Sequence, residues 1–166
     1  ISASDICLAC NIATPLSHGL CQACYVELPW LHQYCDRCGL PLPALNAVCQ
    51  RCILQAPVFD KVLRACLYQA PISEFILAYK DRKQHRYKRL FTQLLLDNWE
   101  QSGGIPPQRL MVVPSNIQRQ RRRGFNQSHQ IAKALGHRLN IPVDNRLQRK
   151  NSAPQQHYSS RSQRMR

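Results

Sequence analysis

Residues Cys7 to Cys24 read CLACNIATPLSHGLCQAC and residues Cys35 to Cys52 read CDRCGLPLPALNAVCQRC; the fold of the first third of the chain turns on these two segments. Each holds two Cys-x-x-Cys pairs with ten residues between them, and an offset of 28 brings all four cysteines into register, together with Pro15/Pro43 and Gln22/Gln50. Tetrahedral zinc takes four thiolates at about 2.3 Å, and one Cys-x-x-Cys turn supplies two, so two turns close one site. A 28-residue repeat with two pairs predicts a unit that binds one zinc by itself, repeated once.

The ligand sets that follow are Cys7, Cys10, Cys21 and Cys24 for one site and Cys35, Cys38, Cys49 and Cys52 for the other. Loop closure does not choose between sequential and cross-braced pairing, because doubling a loop costs only about 0.6 kcal/mol; the internal repeat does. A disulfide framework fits poorly, since such bridges rarely close within Cys-x-x-Cys and the nine cysteines are an odd number. Thioredoxin-like redox chemistry uses one such motif at a helix start, not four on short loops. His18 and His32 are then solvated loop residues, and Cys66, within Leu63-Arg-Ala-Cys-Leu67, is a small buried hydrophobe. Four thiolates leave no open position for water, so both zinc ions are structural. Such zinc contributes on the order of 10–16 kcal/mol of apparent binding energy in small units, and its removal is expected to unfold residues 1 to 55. Residues 1–57 are read as a double zinc ribbon.

Residues 1 to 60 carry two Lys/Arg against four Asp/Glu, a formal −2, whereas the remainder carries 21 against five, or +16. The basic part points to an anionic partner, either nucleic acid or a phosphorylated small molecule. No apolar run approaches the roughly 18–20 residues that span a bilayer, so a soluble, cytoplasmic protein without a membrane span is expected. Tyr25, Trp30 and Tyr34 could stack bases but are read as packing for such small units.

Within residues 58–166, Val62 to Tyr68 reads as a strand that ends before the turn at Pro71. Ile72, Phe75, Ile76 and Tyr79 fall on one helical face, and Leu90, Phe91, Leu94, Leu95 and Trp99 roughly repeat that spacing after a solvated connection, Lys80 to Arg86. Leu110-Met-Val-Val-Pro114 is a short apolar run of the kind that forms a buried strand, followed by a loop, Ser115 to Gly124, with four arginines in five positions. Phe125, Ile131, Ala132, Leu135 and Leu139 then suit an amphipathic helix carrying a non-catalytic His129. Strand, basic loop and helix is a phosphate-site geometry, since guanidinium forks match phosphate oxygens and a helix start adds backbone N–H groups. A solvated basic patch reads equally well from the same residues. From about residue 146 the chain is a polar, basic tail, flexible by composition.

The cysteine array, Leu67-Tyr-Gln-Ala-Pro71 with its following helix to Lys80, Val112-Val-Pro114 leading into Arg121-Arg-Arg-Gly-Phe-Asn-Gln127, and the stretch around Gln155-Gln156 and Arg161 together resemble the ComF/GntX family. That resemblance implies a small N-terminal double zinc ribbon followed by an incomplete α/β phosphoribosyltransferase-like domain. It implies that Arg119, Arg121, Arg122, Arg123 and Gly124 face the diphosphate of phosphoribosyl pyrophosphate, with Mg alongside in a full-length form. It also implies a role in DNA uptake during competence and use of exogenous DNA, with a protein partner of the uptake machinery reached through the ribbons.

The family's transferases grip the ribose phosphate with two adjacent acids followed by Thr-Thr-Gly-x-Thr, and this chain has six aspartates, none adjacent to another acid, and only Thr14 and Thr92. A C-terminally truncated form without phosphoribosyl transfer, of marginal stability and with Val112 and Val113 lacking strand neighbours, is the expectation. The second functional class left open is a noncatalytic zinc-ribbon adaptor or nucleic-acid-binding module, with single-stranded DNA as its ligand.

Overall fold

The computed structural model describes residues 6–16, 18–43, 47–103 and 105–149, the side chains of 118, 119 and 122 excepted. The sequence repeat is a repeat of hydrogen bonds. Cys7 N–H donates to Ile12 O at 3.0 Å and Asn11 N–H returns to Cys7 O at 3.0 Å; 28 residues later Cys35 donates to Leu40 O and Gly39 to Cys35 O, both at 2.8 Å. Isolated antiparallel bridges Ile6↔Ala13 and Tyr34↔Pro41 keep the same offset. Asn11 and Gly39 both take positive φ, 58° and 67°. Each unit ends in a short helix begun by its third cysteine: α1 spans Gln22–Val26 with Cys21 at its N-cap, and α2 spans Gln50–Leu54 with Cys49 there.

Beyond the ribbons, α3 (Ile72–Lys80) buries Ile72, Phe75, Ala78 and Tyr79 along one face, with Glu74 in its first turn and Lys80 in its last complementing the helix dipole. The longer α4 (Tyr87–Gln101) buries Tyr87, Leu90 and Leu94 at helical spacing. A two-residue strand β1 (Leu110–Met111) leads to α5 (Ile117–Arg123), α6 (Gln127–Leu139) and β2 (Val143–Asp144). β1 and β2 pair in parallel, Leu110 with Val143 and Met111 with Asp144, so α5 and α6 lie in a crossover connection. Asn126 caps α6 by accepting the His129 N–H at 3.3 Å. The helix closes on Asn140 in the left-handed region, where Ile141 N–H reaches back to Gly136 O at 2.8 Å. Gly136 has to be glycine, because a Cβ there would stand 2.6 Å from Ile141 O.

One core joins the first ribbon to the helices. Cys7, Leu20 and Leu28 are buried in the same cluster as Phe75, Tyr79, Tyr87, Leu90 and Leu94. Tyr25 donates to Asp97 of α4 at 2.5 Å, and Trp30 Nε1 donates to Tyr25 O at 3.0 Å, the two rings meeting edge-on with centroids 5.0 Å apart. These aromatics are thus packing residues. Among the described residues the second ribbon has a small cluster of its own, Cys35, Cys49 and Cys52.

Several expectations are corrected. Val62 to Tyr68 is not a strand: it lies along the ribbon linker, Leu31 N–H donating to Ala65 O and Leu67 N–H to Pro29 O, with the single bridge Trp30↔Cys66. That segment pairs with a loop, and a loop cannot extend a ladder. The basic stretch after β1 is mostly helix α5, not loop, consistent with the high helix propensity of arginine and glutamine. Phe125 precedes α6 and packs against Tyr79 and His85, at centroid distances of 5.7 and 4.4 Å. Of the run Leu110 to Pro114 only Val112 is buried; the strand β1 is limited to Leu110 and Met111, which pair with β2, so Val112 and Val113 have no strand neighbour among the described residues, and Met111 and Val113 are exposed. Residues 150–166, which hold most of the expected tail and its Gln155, Gln156 and Arg161, lie outside the described residues.

The asymmetry between repeats has a measurable consequence. Leu20→Ala, at a fully buried site, is expected to cost about 2–5 kcal/mol in denaturant unfolding of the helical signal. Val48→Ala, the equivalent position and 36% exposed, should cost less than about 1 kcal/mol.

Candidate functional site

The two predicted ligand sets converge in space: within each of the groups Cys7/Cys10/Cys21/Cys24 and Cys35/Cys38/Cys49/Cys52, all sulfurs lie within 4.8 Å of one another. A tetrahedron with 2.3 Å arms has edges of about 3.8 Å. Cys10 Sγ and Cys21 Sγ are 3.9 Å apart, and their counterparts Cys38 Sγ and Cys49 Sγ 3.7 Å. These spacings fit a shared zinc ion and are far too long for a disulfide, about 2.05 Å. Cys21 N–H donates to Cys7 Sγ at 3.4 Å and Cys49 N–H to Cys35 Sγ at 3.3 Å, the hydrogen bonds to sulfur that hold ligand thiolates in place.

The electrostatics repeat as well. At Cys7 burial opposes ionisation, but the amides of Cys10, Cys21 and Ala9 outweigh it and bring the thiol down to about 6. At Cys35 the amides of Cys49, Cys38 and Arg37 do the same, again to about 6. Cys24 is pushed up to about 12, first by its hydrogen bond with Cys21 and then by burial, and Cys52 to about 12 by burial and its neighbouring sulfurs. Within each set the first cysteine thus ionises more readily than the last, and a bound metal would hold both as thiolates. His18 and His32 belong to neither group, and His32 is exposed. Cys66, which burial pushes up to about 11, is half-buried beside Trp30.

A second site opens beyond the C-terminal end of β1 as a polar cleft of about 400 Å³, lined among others by Pro114, Ser115, Gly124, Asn126, His129 and Asn145. Gly124 N–H donates to Gln120 O at 2.7 Å and closes α5 at a φ of +84°, where an L side chain would be strained. Gln127 fastens the start of α6 to the end of α3 by donating to Lys80 O at 3.3 Å. Below the cleft, the buried Asp144 accepts from Arg146 and Arg109, and chiefly Arg146 holds its carboxyl well below the usual carboxylate range. A depressed folded-state value means that this contribution is complete at neutral pH and fades only as the pH falls below the usual range, about 3.9.

Of the residues expected to meet phosphate, Gly124 lines this cleft and Arg121 is exposed on α5. Arg123 instead turns to Asp81, with Nη2 at 2.7 Å from the carboxylate. The side chains of Arg119 and Arg122 lie outside the described residues. Asn145 carries no distinguishing sequence pattern, and His129, non-catalytic by the sequence reading, lines the cleft beside it. The signal available for His129 was its place three residues after the N-cap Asn126, on the first turn of the helix that faces the cleft.

The first ribbon carries structural weight that the second does not. Cys7→Ser should therefore lower bound zinc from two to one per chain and also collapse the helical core, seen as lost near-ultraviolet circular dichroism. Cys35→Ser should lose one zinc with the helical core intact; equal damage from both would contradict the packing described.

Residues 4–53 match the family model described as a double zinc ribbon domain, under a third of the chain. No curated protein and no solved structure matches. The chain thus begins with a double zinc ribbon domain holding two four-cysteine sites, consistent with two structural zinc ions, followed by a helical part with a small parallel sheet.

Proposed function

We propose that the second part of this chain is a phosphate-binding α/β unit of the ComF/GntX type, supported by the zinc ribbons and associated with uptake and use of exogenous DNA. The observation that carries this reading is the position of the polar cleft. It lies beyond the carboxyl end of a parallel strand and at the start of α6, where α/β sheets bind ligands and where helix N–H groups favour anions. The basic helix α5 and a formal charge of +16 over residues 61–166 add attraction for a diphosphate. The ligand proposed is phosphoribosyl pyrophosphate with Mg. Without adjacent acids or a Thr-Thr-Gly segment in this sequence, the activity proposed for the chain as given is binding rather than transfer.

Isothermal titration with phosphoribosyl pyrophosphate and Mg should show saturable binding that Arg121→Ala with Arg122→Ala removes while zinc content stays at two. No binding up to millimolar ligand would overturn the reading. If single-stranded DNA binds instead, uncompeted by phosphoribosyl pyrophosphate and with a log–log salt slope near −0.7 per phosphate contacted, the noncatalytic nucleic-acid module is the correct description.

A further inference from the structure

The repeat continues past the cysteines. Cys21-Gln-Ala-Cys-Tyr-Val-Glu-Leu-Pro-Trp30 aligns with Cys49-Gln-Arg-Cys-Ile-Leu-Gln-Ala-Pro-Val58, so Tyr25, Leu28 and Trp30 correspond to Ile53, Ala56 and Val58. In the first ribbon these residues are the ones that pack on the helices: Tyr25 meets Asp97 of α4, and Leu28 shares a core with Leu90 and Leu94. The backbones correspond as far as Glu27 and Gln55, whose N–H groups donate to Ala23 O and Arg51 O respectively, and then part, ψ being 0° at Glu27 and 92° at Gln55.

The second ribbon keeps the surface apolar, and no described residue covers it. Ile53 is 70% exposed, Leu54 79%, and Val58 fully, and Phe59 is half-exposed. A groove of about 390 Å³ runs between Cys38, Arg51, Cys52 and the segment Gln55 to Phe59. Clustered apolar side chains of this kind mark interaction sites rather than ordinary surface.

We infer that this face of the second ribbon docks an amphipathic helix of a partner protein, with an aliphatic and aromatic face and a basic rim. The helix is indicated by the occupant of the equivalent face in the first ribbon, which is α4. The basic rim is indicated by the balance of charge over the whole ribbon: between residues 35 and 60 two acidic and two basic side chains, Arg51 of the groove among them, cancel, and a tetrathiolate zinc would leave about −2. A second copy of this chain is a poorer occupant, because the matching face of its α4 is already covered by its own first ribbon. The inference does not depend on what the cleft near β1 binds.

The probe is a synthetic peptide of residues 84–101, which contains α4 and the basic residues Arg86, Lys88 and Arg89 at its start. Titrated into the zinc-loaded full chain, it should shift the amide resonances of residues 53–59 and leave those of Leu20 to Tyr25 unmoved. Ile53→Glu with Val58→Glu should weaken it by about tenfold or more, as expected when apolar anchors are lost, at unchanged zinc content and helicity. Shifts confined to other surfaces, or none at millimolar peptide, would overturn the inference. Self-association of the chain alone, removed by the same double variant, would also overturn it by assigning the face to a second copy.

Discussion

Four sulfurs share a zinc ion only when they sit at the corners of a tetrahedron with edges near 3.8 Å, and two pairs of backbone turns must be brought together to put them there. In this chain the turns are built by local hydrogen bonds that recur after 28 residues, down to the amide that donates to the first sulfur of each set. Neither unit has apolar residues enough to hold that arrangement alone. The second ribbon's buried cluster is three of its own cysteines, with Cys38 and Leu42 packed against them. A coordination requirement thus takes the place of a hydrophobic core.

Duplication gave two copies of that device, and the chain uses them differently. The first has Leu8, Leu20, Tyr25 and Leu28 where it meets the helices, and its Cys7 is part of the common core. At the matching positions the second has Asp36, Val48, Ile53 and Ala56. Its Asp36, Ile53 and Ala56 are exposed, and Val48 is just over a third exposed. Its polar ties to the segment that follows include Val62 N–H, which donates to Arg37 O at 2.8 Å, and Arg64, whose Nη2 donates to Cys38 O at 2.9 Å. The zinc centres are therefore supports for the surfaces built around them.

What was legible in the sequence was whatever rests on spacing. Cysteine register gives both ligand sets, and helical periodicity gives α3 and α4 to within a few residues at each end. What was not legible depends on partners distant in sequence. Val62 to Tyr68 has the composition of a strand, but the neighbour it meets is the irregular stretch Pro29 to Leu31. Four arginines in five positions read as one phosphate-facing set, yet Asp81, 42 positions away, takes Arg123. Asn145 gives no signal of its own, since its place in the cleft is set by the parallel pairing of β1 with β2.

The arrangement stands or falls on the closed four-sulfur shells, which X-ray absorption at the zinc edge reads directly. The prediction is two zinc ions per chain whose shells both fit four sulfurs at about 2.3 Å with no nitrogen or oxygen component. A shell that requires histidine nitrogen or water, or a chain that holds a single zinc ion, would contradict it.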